Sequence, residues 1–154
     1  MYDSTKDTLL HMKQVSLLLN DAAIELIKRS NEHDLSKLGK EEKQHFDEYT
    51  EKLKGLTYGS DEYKKSLEGL KPALDHHYSN NRHHPEYHTN GIDDMNLFDV
   101  IEMILDWLAA TQRHDDGDIL KSIEINKKRF NMEDQLVKIL TNTVNDLDID
   151  GKGK

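Results

Sequence analysis

Hydrophobic residues recur at steps of three and four along most of the 154-residue chain, which is the spacing of one face of an α-helix. The longest such run predicts a first helix from Thr5 to Arg29, with Asp3 or Ser4 able to cap its start. Its apolar residues are Leu9, Leu10, Met12, Val15, Leu18, Leu19, Ala22, Ala23, Leu26 and Ile27. Strand-like alternation is absent from the sequence, so we predict an all-α protein.

Five further helices are predicted between polar segments that carry turn residues. Their predicted ranges are 40–54, 60–78, 97–113, 119–130 and 134–146. No repeat and no interdomain linker interrupts the pattern. We therefore expect a single compact domain of about six helices over 1–147, followed by a polar tail over 148–154.

Individual residues refine these helices. The second helix is expected to point Phe46, Tyr49 and Leu53 inward. Ser60 is placed to cap the third helix, and Pro72 is expected to bend or interrupt it. Asn96 is placed to cap the fourth helix, and Asp99 at its third position is close to a capping box.

Composition narrows the chemistry. The chain has no cysteine, so any metal must be held by nitrogen and oxygen atoms. Its formal net charge of −9 is unfavourable for binding to duplex nucleic acid. No apolar run is long enough to cross a membrane, and the first residues do not resemble a signal peptide. A cytoplasmic protein is expected.

Two stretches carry candidate metal ligands, "EHDLSK" at 32–37 and "HHYSNNRHHPEYH" at 76–88. His33 and Asp34 follow a predicted helix end, where neighbouring side chains can converge on one cation. Lys37 completes the pattern H-D-x-x-K. His11 shares an apolar, core-facing stripe with Val15. The alternatives are ordinary surface polarity for the pair and a hydrogen-bonded core histidine for His11.

The fourth helix adds an acidic stripe. Asp99, Glu102 and Asp106 are spaced i, i+3 and i+7, so they share one face of an otherwise apolar helix. That face is either solvated or turned towards a polar cleft. Asp106 lies far from the helix N-terminus, so a buried carboxylate there would need a cation or several donors.

The order of these residues is similar to that of the HD-domain superfamily of metal-dependent phosphohydrolases. The resemblance implies a first metal site formed by His11, His33, Asp34 and Asp106. It implies that a second ion, where present, is bridged by Asp34 and held by His77 and His84. The expected cofactor is one or two divalent ions of Mn, Fe, Co, Ni, Zn or Mg. The chain departs from the superfamily in its small size and in the short interval before the His-Asp pair.

A closer resemblance covers most of the chain. The segments "HDLSK", "HYSNNRHHPEYH", "NGIDDMNLFDVIEMILDW" and "DGDILKSIEINKKRF" resemble a small bacterial and phage family of uncharacterised proteins, DUF5662. This family brings no established activity.

The histidine-rich segment leaves several assignments open. His84 precedes Pro85 and should be extended, with its ring towards a cleft. If His83 is extended too, the two rings point in different directions and should not bind the same ion. His83 is as plausible on the surface as His76 and His88. Glu86 is a ligand, a hydrogen-bond partner of a ligand histidine or an exposed carboxylate.

We expect hydrolysis of a nucleotide or another small phosphate ester by a metal-activated water. The expected catalytic residues are Asp34, Lys37, Glu86 and Glu102, with either glutamate orienting the water or the ligand imidazoles. The expected phosphate-binding residues are Lys37, Arg82 and Arg129. Arg129 lies on a polar face of its helix that is turned either to water or to the cleft.

Two other functions are consistent with the sequence. One is an HD-type di-iron oxygenase, and the other is a non-enzymatic, phage-encoded interaction protein whose histidines are structural. A homo-oligomer is compatible with each. A ferritin-like di-iron bundle is disfavoured because Glu-x-x-His occurs once, from Glu42 to His45, in a charged run that predicts a solvated helix face.

Overall fold

A computed structural model describes residues 2–54, 61–113 and 117–147. Six α-helices run as α1 Thr5–Glu32, α2 Lys40–Lys54, α3 Asp61–Asn80, α4 Leu97–Thr111, α5 Ile119–Phe130 and α6 Asp134–Asp146. Short 3-10 helices span Leu35–Leu38, Pro85–Tyr87 and Gly91–Asp94. These described ranges contain no strand, which confirms the all-α prediction.

The chain divides into two compact units, Met1–His33 and Asp34–Lys154. The single domain over 1–147 stays a prediction, and the tail over 148–154 lies outside the described residues. In the part of the chain that is described, no helix has both the length and the apolar character that a membrane crossing requires.

The first unit consists mainly of α1, which begins where predicted and ends at Glu32 rather than Arg29. The Asp3 carboxylate accepts a hydrogen bond from the Thr5 N–H at 3.0 Å. No residue of α1 is buried, and His11 is exposed. The core-facing position predicted for His11 is therefore not found, since a single helix has no second layer within its own unit against which to bury a stripe.

In the second unit, α2 packs along α3. α2 has the predicted bounds, with Phe46 and Tyr49 half-buried, while the Leu53 side chain lies outside the description. The helices approach closely at Gly69, where a Cβ atom would lie 2.3 Å from the Tyr49 ring. A larger residue at this position would have to displace the end of the Tyr49 side chain.

The interruption predicted at Pro72 is not found, because α3 continues through it to Asn80. Proline removes one backbone donor and disturbs the preceding turn. On either side of it, however, Leu70, Ala73 and His77 are buried. Packing on both sides of the proline holds the helix together. The capping residue Ser60 lies outside the described residues.

Helices α4, α5 and α6 enclose an apolar core. Its buried members are Met103, Ile104, Ile123, Met132, Val137, Leu140 and Val144. Trp107 and Phe130 stack beside this core with ring centroids 6.1 Å apart. The bounds of α5 and α6 match the prediction, and α4 ends at Thr111 rather than at residue 113.

The start of α4 confirms the predicted cap. The Asn96 side chain accepts from the Asp99 N–H at 3.0 Å, and the Asp99 carboxylate accepts from the Asn96 N–H at 3.0 Å. This reciprocal pair is a complete capping box. It fixes the register from which Glu102 and Asp106 project one and two turns later.

Candidate metal centre

The second unit begins with a carboxylate in an unusual backbone conformation. Asp34 has φ 59° and ψ 10°, in the left-handed region, immediately before the 3-10 helix Leu35–Leu38. A short polar side chain tolerates this region better than most. Its Oδ2 accepts an ion-paired hydrogen bond from Lys37 Nζ, while its Oδ1 is buried. The turn thus directs one oxygen to a lysine and the other into the protein.

Three imidazoles meet this carboxylate. Asp34, His77, His83 and His84 each offer one ligand atom, and these atoms all lie within 4.8 Å of one another. Nε2 of His77 lies 3.1 Å from Asp34 Oδ1, and Nε2 of His83 lies 3.6 Å from it. His77 is 1% exposed and His83 is 2% exposed. The Nε2 atoms of His77 and His84 form no hydrogen bond within the described residues.

The loop after α3 brings His83 and His84 together. His84 is extended at φ −95° and ψ 129°, as the following Pro85 predicts. The rings were predicted to point apart if His83 is extended, but His83 lies in a turn and the two ring centroids are 4.1 Å apart. The reason is a turn in which the His84 N–H donates to the Asn81 carbonyl oxygen at 3.1 Å. His83 lies inside that turn, so the alternation of an extended chain does not apply.

The other loop histidines have different surroundings. His83 is buried rather than on the surface, which corrects that option of the prediction. His76 is half-buried, with Nδ1 2.7 Å from Glu42 Oε1. His88 is half-buried and pairs its Nε2 with the Arg82 carbonyl oxygen at 2.9 Å. Of the five histidines in the 76–88 segment, His77, His83 and His84 therefore belong to the cluster.

In two of the cluster imidazoles, a glutamate carboxylate contacts the Nδ1 atom. Glu42 Oε2 lies 3.0 Å from His77 Nδ1, and Glu102 Oε1 lies 3.2 Å from His83 Nδ1. In both rings Nδ1 faces a glutamate and Nε2 faces Asp34. Carboxylates in this position commonly fix the tautomer and orientation of histidine ligands to metals.

Glu42 also corrects a prediction. The charged run of α2 predicts a solvated face, yet Glu42 is 0% exposed. Because α2 packs along α3, one polar side chain of this run is turned towards His77 instead of water. His45 is half-buried.

The acidic stripe of α4 faces inwards over much of its length. Asp99 is fully buried, and the Glu102 side chain is 15% exposed. An oxygen of Asp106 lies within 4.8 Å of a His83 nitrogen. The stripe therefore lines a polar interior, which was one of the two alternatives.

The His84 ring is held neutral. Burial is the main cause that lowers its pKa from 6.5 to about 3, and the nearby imidazoles of His83 and His77 lower the pKa further. Asp106 and Asp34 act in the opposite direction on the same pKa. A neutral imidazole has a lone pair available for a metal ion.

The predicted phosphate-binding cations are engaged by carboxylates. Arg82 donates from Nε and Nη2 to the two oxygens of Asp99, each at 3.1 Å. This pairing compensates a fully buried carboxylate at the start of α4. Arg129 Nη2 donates to Glu86 Oε1 at 2.6 Å. The role of both arginines in substrate binding stays a prediction.

A cavity of about 540 Å³ adjoins the cluster. Its lining includes His84 and Asp106 on the cluster side and Trp107, Asn126 and Arg129 on the other. The Arg129 guanidinium lies 4.7 Å from the ring centroid of Phe130, which also lines the cavity. The cavity thus joins polar ligand atoms to an aromatic wall and one cation.

His11 and His33 both belong to the first unit. His33 ends α1, and its N–H donates to the Arg29 carbonyl oxygen at 2.8 Å. Its sequence neighbour Asp34 belongs to the second unit. The roles of His11 and His33 as ligands stay predictions.

The buried nitrogen and oxygen atoms of this cluster fit a divalent cation, because lone pairs that face a carboxylate are otherwise poorly compensated. The described residues thus define an all-helical protein with a candidate metal centre. The chain belongs to a family of unknown function, DUF5662, whose model matches residues 1–146. The predicted family is therefore confirmed. No curated protein and no solved structure matches the chain, and the likeness to HD domains stays a prediction.

Proposed function

We propose that the chain is an HD-type, divalent-metal-dependent phosphohydrolase that acts on a nucleotide or another small phosphate ester. The observation that carries the proposal is the convergence of Asp34, His77, His83 and His84 within 4.8 Å in a buried setting. The order of histidines and aspartates along the chain, which resembles HD phosphohydrolases, supplies the reaction class.

Electrostatics supports a cation at this point. Nε2 of His77 forms no hydrogen bond within the described residues, and it lies 3.1 Å from Asp34 Oδ1. A lone pair facing a carboxylate in a buried site is repulsive, whereas a divalent ion between the two is attractive to both. Three imidazoles and a carboxylate suit Mn, Fe, Co, Ni or Zn better than a soft metal.

Residues around the cluster and its adjoining cavity have defined tasks in this proposal. A bound divalent ion would lower the pKa of a water and neutralise charge on a phosphoryl oxygen. Glu102 orients the His83 ring through the 3.2 Å contact to Nδ1. Lys37 holds Asp34 Oδ2, so that the carboxylate presents Oδ1 to the cluster. Arg129 releases Glu86 and donates instead to a phosphate oxygen of the substrate.

The size of the cavity sets the scale of the substrate. A volume of about 540 Å³ is within the range typical of small-ligand pockets. Trp107 and Phe130 offer aromatic surface for a planar group, and Arg129 is near the same wall. The net charge of −9 disfavours a long polynucleotide.

The test is a hydrolysis screen with the untagged full-length chain. Nucleotides and simple phosphate esters are supplied with Mn²⁺, Co²⁺ or Mg²⁺, and phosphate release is measured with and without a chelator. We expect metal-dependent turnover that Asp34→Asn lowers by at least a hundredfold. Asp75→Asn is the matched control, because its side chain is 61% exposed on α3. Equal turnover in wild type and Asp34→Asn would contradict the proposal.

The three imidazoles also suit iron, and an HD-type di-iron oxygenase is the second candidate. Oxygen consumption by the iron-loaded chain, with no phosphate release in any metal form, would select the oxygenase. A non-enzymatic role predicts that the purified chain carries no stoichiometric metal.

A further inference from the structure

Glu42 is a fully buried carboxylate on α2 to which the proposed hydrolysis gives no task. Three polar groups surround it. His76 Nδ1 lies 2.7 Å from Oε1, His77 Nδ1 lies 3.0 Å from Oε2, and the Ser36 hydroxyl donates to Oε2 at 3.1 Å. A buried carboxylate needs donors from such neighbours.

The hydrogen-bond geometry around the His77 ring indicates which nitrogen has the proton. Asn81 Nδ2 has two hydrogens and three acceptors within reach: Ser36 Oγ at 2.8 Å, the His77 carbonyl oxygen at 2.7 Å and His77 Nδ1 at 3.0 Å. Ser36 has one hydroxyl hydrogen, which it donates to Glu42. Asn81 Nδ2 and Ser36 Oγ also lie 3.0 Å from His77 Nδ1, but of the groups around this nitrogen the Glu42 carboxylate is the one that only accepts.

The geometry favours a proton on His77 Nδ1 that is donated to Glu42 Oε2 at 3.0 Å. The Nδ1 contact to Glu42 Oε2 has hydrogen-bond geometry at 3.0 Å, whereas Nε2 forms no hydrogen bond within the described residues, so the proton belongs on the Glu42 side of the ring. With the proton on Nδ1, the lone pair of the neutral ring is on Nε2. That atom lies 3.1 Å from Asp34 Oδ1.

We propose that Glu42 is a positioning residue that fixes His77 as the Nδ1–H tautomer and so presents its Nε2 lone pair, beside Asp34 Oδ1, to a divalent cation. The use of that lone pair rests on the metal site of the proposed function. The tautomer itself is a property of the metal-free chain. Ser36 supports this arrangement, because its hydroxyl donates to Glu42 Oε2 and accepts from Asn81 Nδ2.

The first measurement reads the tautomer without any metal. Nitrogen NMR of the full-length chain, with ¹⁵N-labelled histidine and a chelator present, distinguishes a protonated from an unprotonated ring nitrogen. We expect His77 to show a protonated Nδ1 and an unprotonated Nε2 at neutral pH, with the signal assigned by its absence from His77→Asn. A protonated Nε2 on His77 would overturn the inference.

The second measurement is Zn²⁺ affinity by competition with a chromophoric chelator. A neutral amide cannot accept all three donors that surround Glu42, so Glu42→Gln should weaken Zn²⁺ binding about tenfold to a hundredfold. Glu41→Gln is the matched control, because Glu41 is exposed on the same turn of α2, and its affinity should be unchanged. Wild-type affinity in Glu42→Gln would overturn the positioning role.

The two measurements separate this inference from the proposed function. If wild type binds no divalent metal while His77 is protonated on Nδ1, the proposed function and the positioning role both fail and the tautomer assignment stands. If Glu42→Gln does not fold, as judged by circular dichroism, the wild-type tautomer decides the inference. Weaker Zn²⁺ binding by Glu42→Gln, together with an altered His77 tautomer in that variant, supports the whole proposal.

Discussion

The second unit has two regions with opposite interiors. Where α2 packs along α3, the residues below 2% exposure include Glu42 and His77, and a network of hydrogen bonds joins them to Ser36. The α4–α6 group instead encloses methionine, isoleucine, leucine and valine side chains. Burial of apolar surface stabilises without a partner, whereas buried polar groups must be compensated.

This difference suggests that the two regions have different roles, one in stability and the other in binding. We attribute most of the folding free energy of the unit to the α4–α6 core and the binding chemistry to the polar region. If the polar region binds a cation, substitutions in the apolar core should mainly change stability. Substitutions in the polar region should mainly change metal affinity. The predictions below run from the largest expected effect to the smallest.

Truncation in the apolar core should cost the most stability. Leu140 is 2% exposed, so Leu140→Ala should lower the free energy of unfolding by about 2–5 kcal/mol, measured by urea denaturation. Its neighbour Ile139 is 52% exposed, and Ile139→Ala is the control with a much smaller effect. The Zn²⁺ affinity of the folded chain should be unchanged in both variants. A large loss of Zn²⁺ affinity in Leu140→Ala would contradict the separation of core stability from metal binding.

Metal binding should stabilise the polar region. A cation that binds only the folded chain adds about 2.7 kcal/mol at a free concentration one hundred times its Kd. Hydrogen exchange should show the added protection mainly in α2, the end of α3 and the 76–88 segment. Equal protection throughout α4–α6, or none in either region, would contradict the comparison.

Acid should destabilise the metal-free chain through His84. Its pKa is about 3 in the folded chain and near 6.5 when unfolded, so between these values the unfolded state binds more protons. Stability is therefore greatest above pH 6.5 and falls as the pH drops towards 3, by at most about 1.4 kcal/mol per pH unit from this group. Urea denaturation of wild type and His84→Asn, compared across this range, isolates the contribution. A difference that does not change with pH would contradict it.

The smallest effect is expected on the outer face of α2. Lys43 and Asp47 form an ion pair with side chains 52% and 63% exposed. Exposed pairs of this spacing contribute little, so Lys43→Ala should change the free energy of unfolding by less than about 0.5 kcal/mol. Zn²⁺ affinity should be unchanged, in contrast to Glu42→Gln one residue earlier. A loss of affinity similar to that of Glu42→Gln would show that the charge of the helix matters rather than the position of one carboxylate.

The helices were largely predictable because their signals are local. The periodicity and flanking residues of α2, α5 and α6 predict the bounds that the structure has. Continuity through Pro72 was not predictable, since it depends on what α3 packs against. The same holds for α1, whose apolar stripe indicates a helix but does not indicate what covers it.

The site was predictable in part. The resemblance to HD domains selected Asp34, His77 and His84, which the structure brings together. His83 was not distinguished from its neighbours, because its burial depends on a turn closed by Asn81. Glu42 was missed because the run "KEEKQHFDE" contains four acidic residues, and only the packing of α2 against α3 decides which one is buried.

The most direct test of the central claim is a cobalt titration of the untagged, metal-free chain followed by visible absorption. We predict ligand-field bands of nitrogen- and oxygen-bound Co²⁺ that saturate at one or two equivalents per chain, and their loss in the double variant Asp34→Asn, His77→Asn. Absence of such bands in wild type, or bands of the same intensity in the double variant, would contradict a metal centre at this cluster.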